Sequence, residues 1–139
     1  VGDVELTELI CEHLGGLEGW RWAGEGAYPQ TVVGVFYGAI DASPDRAVGV
    51  STYDRADRPR EFVRGRRVQL LLRGQRGDPG GADALADVAV PRMEALALVP
   101  GIAYVEPLTF ARLGADENGR QERTENFHIT FDNEEATQP

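Results

Sequence analysis

The 139-residue sequence predicts an α+β fold, a two-layer domain with a mixed or antiparallel sheet of about five strands and two helices on one face. Three observations carry that prediction. Two stretches repeat apolar residues at helical spacing, several shorter ones are β-branched or alternate with period two, and the strand-like runs are joined by short turns. The element order is α-βββ-α-ββ. The length and the 42% hydrophobic content suit one core, so residues 1–139 are expected to form a single domain.

In the first helix Leu6, Leu9, Ile10, Leu14 and Leu17 share a face, Asp3 is placed as its cap, and Gly15-Gly16 ends it. Residues 15–30 are rich in glycine and carry Trp20, Trp22 and Tyr28. They read as an irregular segment whose aromatics pack on the domain, with partner contact as the alternative. Residues 31–40 and 47–53 are apolar and β-branched and read as strands around the turn sequence Asp41-Ala-Ser-Pro-Asp45. Residues 54–67 contain Pro59 and a run of arginines, and form an arm or loop. The third strand spans residues 66–73, with Val68, Leu70 and Leu72 on its core face. Asp78-Pro79 starts the second helix, whose apolar face runs from Ala82 to Ala97. Pro91 predicts a kink there or a division into two helices. Pro100-Gly101 stops it. Residues 102–113, bulged at Pro107, form the fourth strand, and 114–119 are a turn. The fifth strand ends at Phe131, with Phe127, Ile129 and Phe131 facing the core, and residues 132–139 are a flexible tail.

All 14 basic residues are arginine, against 23 acids, for a net charge of −9. The charge is unevenly placed: −7 over residues 1–54, +6 over 55–76 and −8 over 77–139. A basic centre between acidic flanks is either a self-complementary surface or a solvated loop whose charges pair locally. The pI near 4.7 argues against free nucleic acid as a partner, because phosphate binding runs on Lys and Arg. No apolar run approaches the roughly 20 residues of a membrane span. The first ten residues carry Asp3, Glu5 and Glu8 and read as no secretion leader, and a lone cysteine fits a reducing compartment.

Signals for chemistry are poor. His13 and His128 stand on different elements, with no Cys/His pair at metal spacing. No phosphate-loop, nucleophile-elbow or zincin motif is present. The glycines at 74, 77, 80 and 81 precede a helix but lack the Lys and hydroxyl of a phosphate cradle. Cys11 reads as a small buried hydrophobe, His13 as a boundary residue and His128 as solvent-facing or interfacial. The expectation is a non-enzyme without a metal or cofactor.

The stretches RRVQLLLRGQRGDP, ADALADVAVPRMEALA, VPGI, DENGR and NFHITF, preceded by GVFYGAI, follow one another in an order that resembles a known pattern. It is similar to the tail terminator and minor capsid (head–tail joining) proteins of bacteriophages with long non-contractile tails. The resemblance implies a structural virion protein that forms a homo-oligomeric ring, commonly a hexamer, at the head–tail junction after assembly in the host cytoplasm. The ring would cap the tail tube protein, meet head-completion or neck proteins, and leave a channel through which DNA passes without specific binding. A ring needs two unlike surfaces on each copy, which the basic centre and acidic flanks provide. On this reading Arg55, Arg58, Arg60, Arg64, Arg66 and Arg67 contact a neighbouring subunit or the tube, with Phe62 as apolar anchor. Asp116, Glu117, Asn118 and Arg120 are the candidates for the turn that faces the channel or a neighbouring ring. A head-closure or adaptor protein of the neck is the alternative within the virion. A cytosolic ligand-binding α+β module is the alternative outside it.

Overall fold

A computed structural model describes residues 2–24, 27–61 and 63–132. The elements are α1 (Asp3–Gly15), β1 (Trp20–Arg21), β2 (Val33–Tyr37), β3 (Ala47–Arg55), β4 (Gly65–Arg73), α2 (Gly81–Glu94), β5 (Ile102–Ala115) and β6 (Gln121–Phe131). Short 3-10 turns occupy Pro59–Glu61 and Ala95–Leu98. The strands form one six-stranded sheet in the order β1-β2-β3-β4-β6-β5. β1, β2 and β3 run parallel, and the remaining pairs are antiparallel. The α+β class and the two helices match the sequence prediction. The strand beyond the predicted set is β1, two residues long, which has no periodicity to read.

Alternation along the strands decides which face carries the core. Val48, Val50, Val68, Leu70, Leu72, Phe127 and Ile129 are fully buried together with Leu6, Ile10 and Leu14 of α1 and Ala89 and Met93 of α2. Both helices therefore lie on the same face, where removing apolar surface from water supplies the main stabilisation.

The other face is covered only in part, and the connection from β2 to β3 explains how. Parallel neighbours require the chain to return to the starting end, usually through a longer crossover than residues 38–46. Here the return runs across the back of the sheet, over a small cluster of Tyr28, Phe36 and Ala47. Gly49 sits beneath it: a β-carbon there would run into the carbonyl of Gly38. The loop turns through Gly38 at φ +78° and a cis Ser43-Pro44 bond.

Two local predictions are corrected, and at Pro91 one of two expected outcomes, division of the helix, is removed. Asp3 lies inside α1, and the cap position belongs to Gly2. Asp78 does not cap α2. Its Oδ1 accepts a bond from the N–H of Gly80 at 3.1 Å, its carbonyl accepts from Gly81, and the helix begins at Gly81. The delay has a packing cause. Gly74 and Gly81 touch backbone to backbone, and a β-carbon on Gly74 would come within 2.6 Å of residues 81 and 82. At Pro91 the helix neither divides nor ends, and it tightens to 3-10 geometry only at Ala95. Pro91 is exposed, as is Asp87 four residues back, so the carbonyl that loses its donor lies on the solvent side.

Candidate functional site

The arginine-rich arm is a continuation of the β3–β4 hairpin beyond the sheet. Its tip closes through paired backbone bonds between Arg58 and Val63, at 2.7 and 3.1 Å. Its base is fixed by Asp57, whose Oδ1 accepts from the N–H of Gly65 at 3.0 Å and from Arg66 at 3.1 Å. The Gly65 N–H and then the Arg66 charge hold the Asp57 carboxyl below the usual carboxylate range. Arg66 also bonds Asp3 of α1 at 2.8 Å and lies over the Phe131 ring, 5.8 Å from its centroid. Arg66, expected among the interface contacts, is instead turned into the fold, 14% exposed, and anchors the arm. Arg55, Arg58, Arg60 and Arg64 are exposed, and Arg58 forms an i,i+3 pair with Glu61 at 3.7 Å. Arg67 is exposed on the back face of β4, opposite His128. Phe62 lies outside the described residues. The side chains of Arg58, Pro59, Arg60 and Glu61 line an open cleft of about 420 Å³.

The turn between β5 and β6 sits at the opposite end of the sheet. Asp116 organises it: Oδ1 accepts from the N–H groups of Asn118 and Arg120, both at 2.9 Å, and Oδ2 accepts from Arg120 Nε at 2.8 Å. The Arg120 N–H and its guanidinium depress the Asp116 carboxyl. Arg120 itself points inward. Its side chain is 6% exposed and reaches the crossover loop, bonding the carbonyl of Ala42 at 2.7 Å and Asp45 at 3.3 Å. Arg73 grips the same loop through the carbonyls of Asp41, Pro44 and Asp45, at 2.8, 2.7 and 2.9 Å. Of the four residues expected at the turn's surface, Glu117 and Asn118 are exposed at the tip, Asp116 is half-buried, and Arg120 is part of the clamp.

The sequence reading did not single out β5, yet it is the most exposed apolar element. It forms one edge of the sheet, and Tyr104, Leu108, Phe110 and Leu113 are each between 39% and 56% exposed. Two arginines lie against the Phe110 ring. Arg123 stacks 4.0 Å from its centroid and Arg112 5.2 Å, and both guanidinium groups bond Asp83 of α2. Arg123 also pairs with Glu125 at 2.9 Å. The signal available in the sequence was negative. In IAYVEPLTFARLGA the apolar residues do not alternate, because the register with β6 shifts in three places.

The other singled-out residues are packed within the fold. Cys11 is buried beneath α1 beside the carbonyl of Phe36, and burial pushes its thiol up to about 12. His13 Nε2 meets the Arg92 carbonyl at 2.7 Å while Arg92 Nε donates to the His13 carbonyl at 2.9 Å, which ties the helices together. Burial lowers the His13 pKa. His128, expected to face solvent or an interface, is half-buried, and its Nε2 is buried against Gly65 with no hydrogen-bond partner among the described residues. Among the described residues no group of three or more His, Cys, Asp and Glu side chains is placed to hold a metal ion.

What the geometry offers is a set of surfaces: a basic arm, a braced turn and an apolar sheet edge. A comparison with curated proteins finds no match. The family model for the bacteriophage tail terminator protein matches residues 16–133, from the end of α1 past the last strand. That span covers most of the chain, the arm, the turn and the edge strand included: the chain belongs to the bacteriophage tail terminator family, which places it among the structural proteins of phage tails.

Proposed function

We propose that copies of this chain close into a ring, a hexamer, on the head-proximal end of the tail tube. There the ring stops tube polymerisation, presents a face to the head-completion or neck proteins, and leaves an axial channel for the genome. The observation that carries the reading is the arm. Four arginines on a hairpin that leaves the sheet, in a chain with net charge −9, form a surface opposite in sign to the rest of the molecule. Each copy then has two unlike faces, which is what a heterologous, closing interface needs. Acidity elsewhere suits a channel wall, since carboxylates repel passing phosphates whereas arginines hold them. Glu117 and Asn118, exposed at the turn tip, are the residues of the DENGR stretch that can face the channel or an adjoining ring.

The test reverses Arg55, Arg58, Arg60 and Arg64 to Glu and images the tails produced. The variant chain stays folded by circular dichroism, no ring appears at the tube end, and tubes lose their defined length. Capped tails of normal length would overturn the proposal. Finding the wild-type chain only at the neck, and absent from tails purified without heads, would favour the head-closure or adaptor role instead.

A further inference from the structure

The arm needs a surface to meet, and we propose that this surface is β5 of a second copy, whose residues 104–108 receive the neighbour's arm. The inference rests on the ring reading above and names its contact.

Three features of β5 lead there. First, it is an edge strand that is closed to strand addition. Pro107 lacks an N–H, and register shifts near Ile102, Pro107 and Arg112 break the row of backbone groups that another strand would pair with. A partner therefore docks through side chains. Second, it keeps large apolar groups in water. Tyr104 is 51% and Leu108 39% exposed, which leaves apolar surface for a partner to cover. Third, Glu106 stands between Tyr104 and Leu108, exposed and without an ion pair among the described residues.

The arm is the complement of that strip. Arg60 is exposed and forms no ion pair among the described residues, and it lines the 420 Å³ cleft beside Pro59. Arg60 set against Glu106 places Pro59 and the cleft over Tyr104 and Leu108, pairing charge with charge and apolar surface with apolar surface. Residues 104–108 also lie toward the arm's end of the sheet, since Tyr104 and Gly65 both stand opposite Thr130. Each copy offers its arm on one side and its edge strand on another, so the contact repeats from copy to copy.

Cysteines placed at both positions, Arg60→Cys with Glu106→Cys, test the contact in the full chain assembled on tails. Mild oxidation gives a ladder at multiples of the chain mass, and neither single variant gives one. Cys11 is buried and does not compete. In parallel, Arg60→Glu or Glu106→Arg alone weakens self-association by about tenfold or more, and the double reversal restores it. A ring imaged at the tube end that yields no ladder and no charge-swap rescue overturns this contact and leaves the ring standing. A cross-link from the cysteine pair to the tube protein instead of a second copy overturns it as well. Absence of any ring in the wild-type particle overturns the ring reading and this inference together.

Discussion

Replacing Arg120 with Met keeps most of the side chain's length and removes its charge. The guanidinium bonds the Ala42 carbonyl at 2.7 Å, Asp45 at 3.3 Å and Asp116 at 2.8 Å, with side-chain exposures of 6% at Arg120 and 9% at Asp45. Removing one partner of a buried pair costs about 3–5 kcal/mol, chiefly because the other charge is left behind. Gln75 still reaches Asp45 at 3.1 Å and Arg76 at 3.4 Å, so the lower end, about 3 kcal/mol, is expected here. At about 2–4 °C per kcal/mol for a chain of this size, the melting temperature falls by roughly 6–12 °C. Thermal and urea unfolding followed by circular dichroism measure it. Glu117→Ala at the exposed tip is the control and changes stability by less than about 0.5 kcal/mol. An Arg120→Met chain that melts within about 2 °C of the parent, or a Glu117→Ala chain that loses as much, would refute the clamp.

Further outcomes follow from the same geometry. Asp57 and Asp116 have depressed carboxyl pKa values, so their contribution is complete above the unfolded-chain value near 4 and is lost as pH falls through the folded values. Acid titration should show that loss below about pH 4, and Asp57→Asn should flatten part of it. The Cys11 thiol, raised to about 12 by burial, stays unreactive toward a disulfide reagent at pH 8 in the native chain and reacts fully in denaturant. Gly49→Ala forces a β-carbon against the Gly38 carbonyl and destabilises by about 1–3 kcal/mol in urea unfolding, because the loop above it is pinned by Arg73 and Arg120.

The sequence was most legible where local pattern and burial agree. Phe127, Ile129 and Phe131 alternate because β6 has one buried face, and Val68, Leu70 and Leu72 do so across from them. The arm was legible from charge alone, since arginines in a proline-containing connection have little to pack against. Other features depend on where distant segments meet. Asp78-Pro79 has the chemistry of a helix start, but contact between Gly74 and Gly81 moves the start onward. Arg66 and Arg120 look like surface arginines in sequence, and only the folded chain brings Asp3, Asp57 and Asp45 to them. The edge strand was hardest to read. Its exposed apolar residues resemble those of a buried strand, and only sheet order shows that one side has no neighbour.

The central claim is that this chain is the ring that caps the tail tube, and locating it in the particle tests that claim most directly. A reconstruction of tails purified without heads should show a closed ring of this chain as the last layer at the head-proximal end, with the arm of each copy touching the next. Tails whose tube ends bare, with this chain absent or present only as isolated copies, would contradict it.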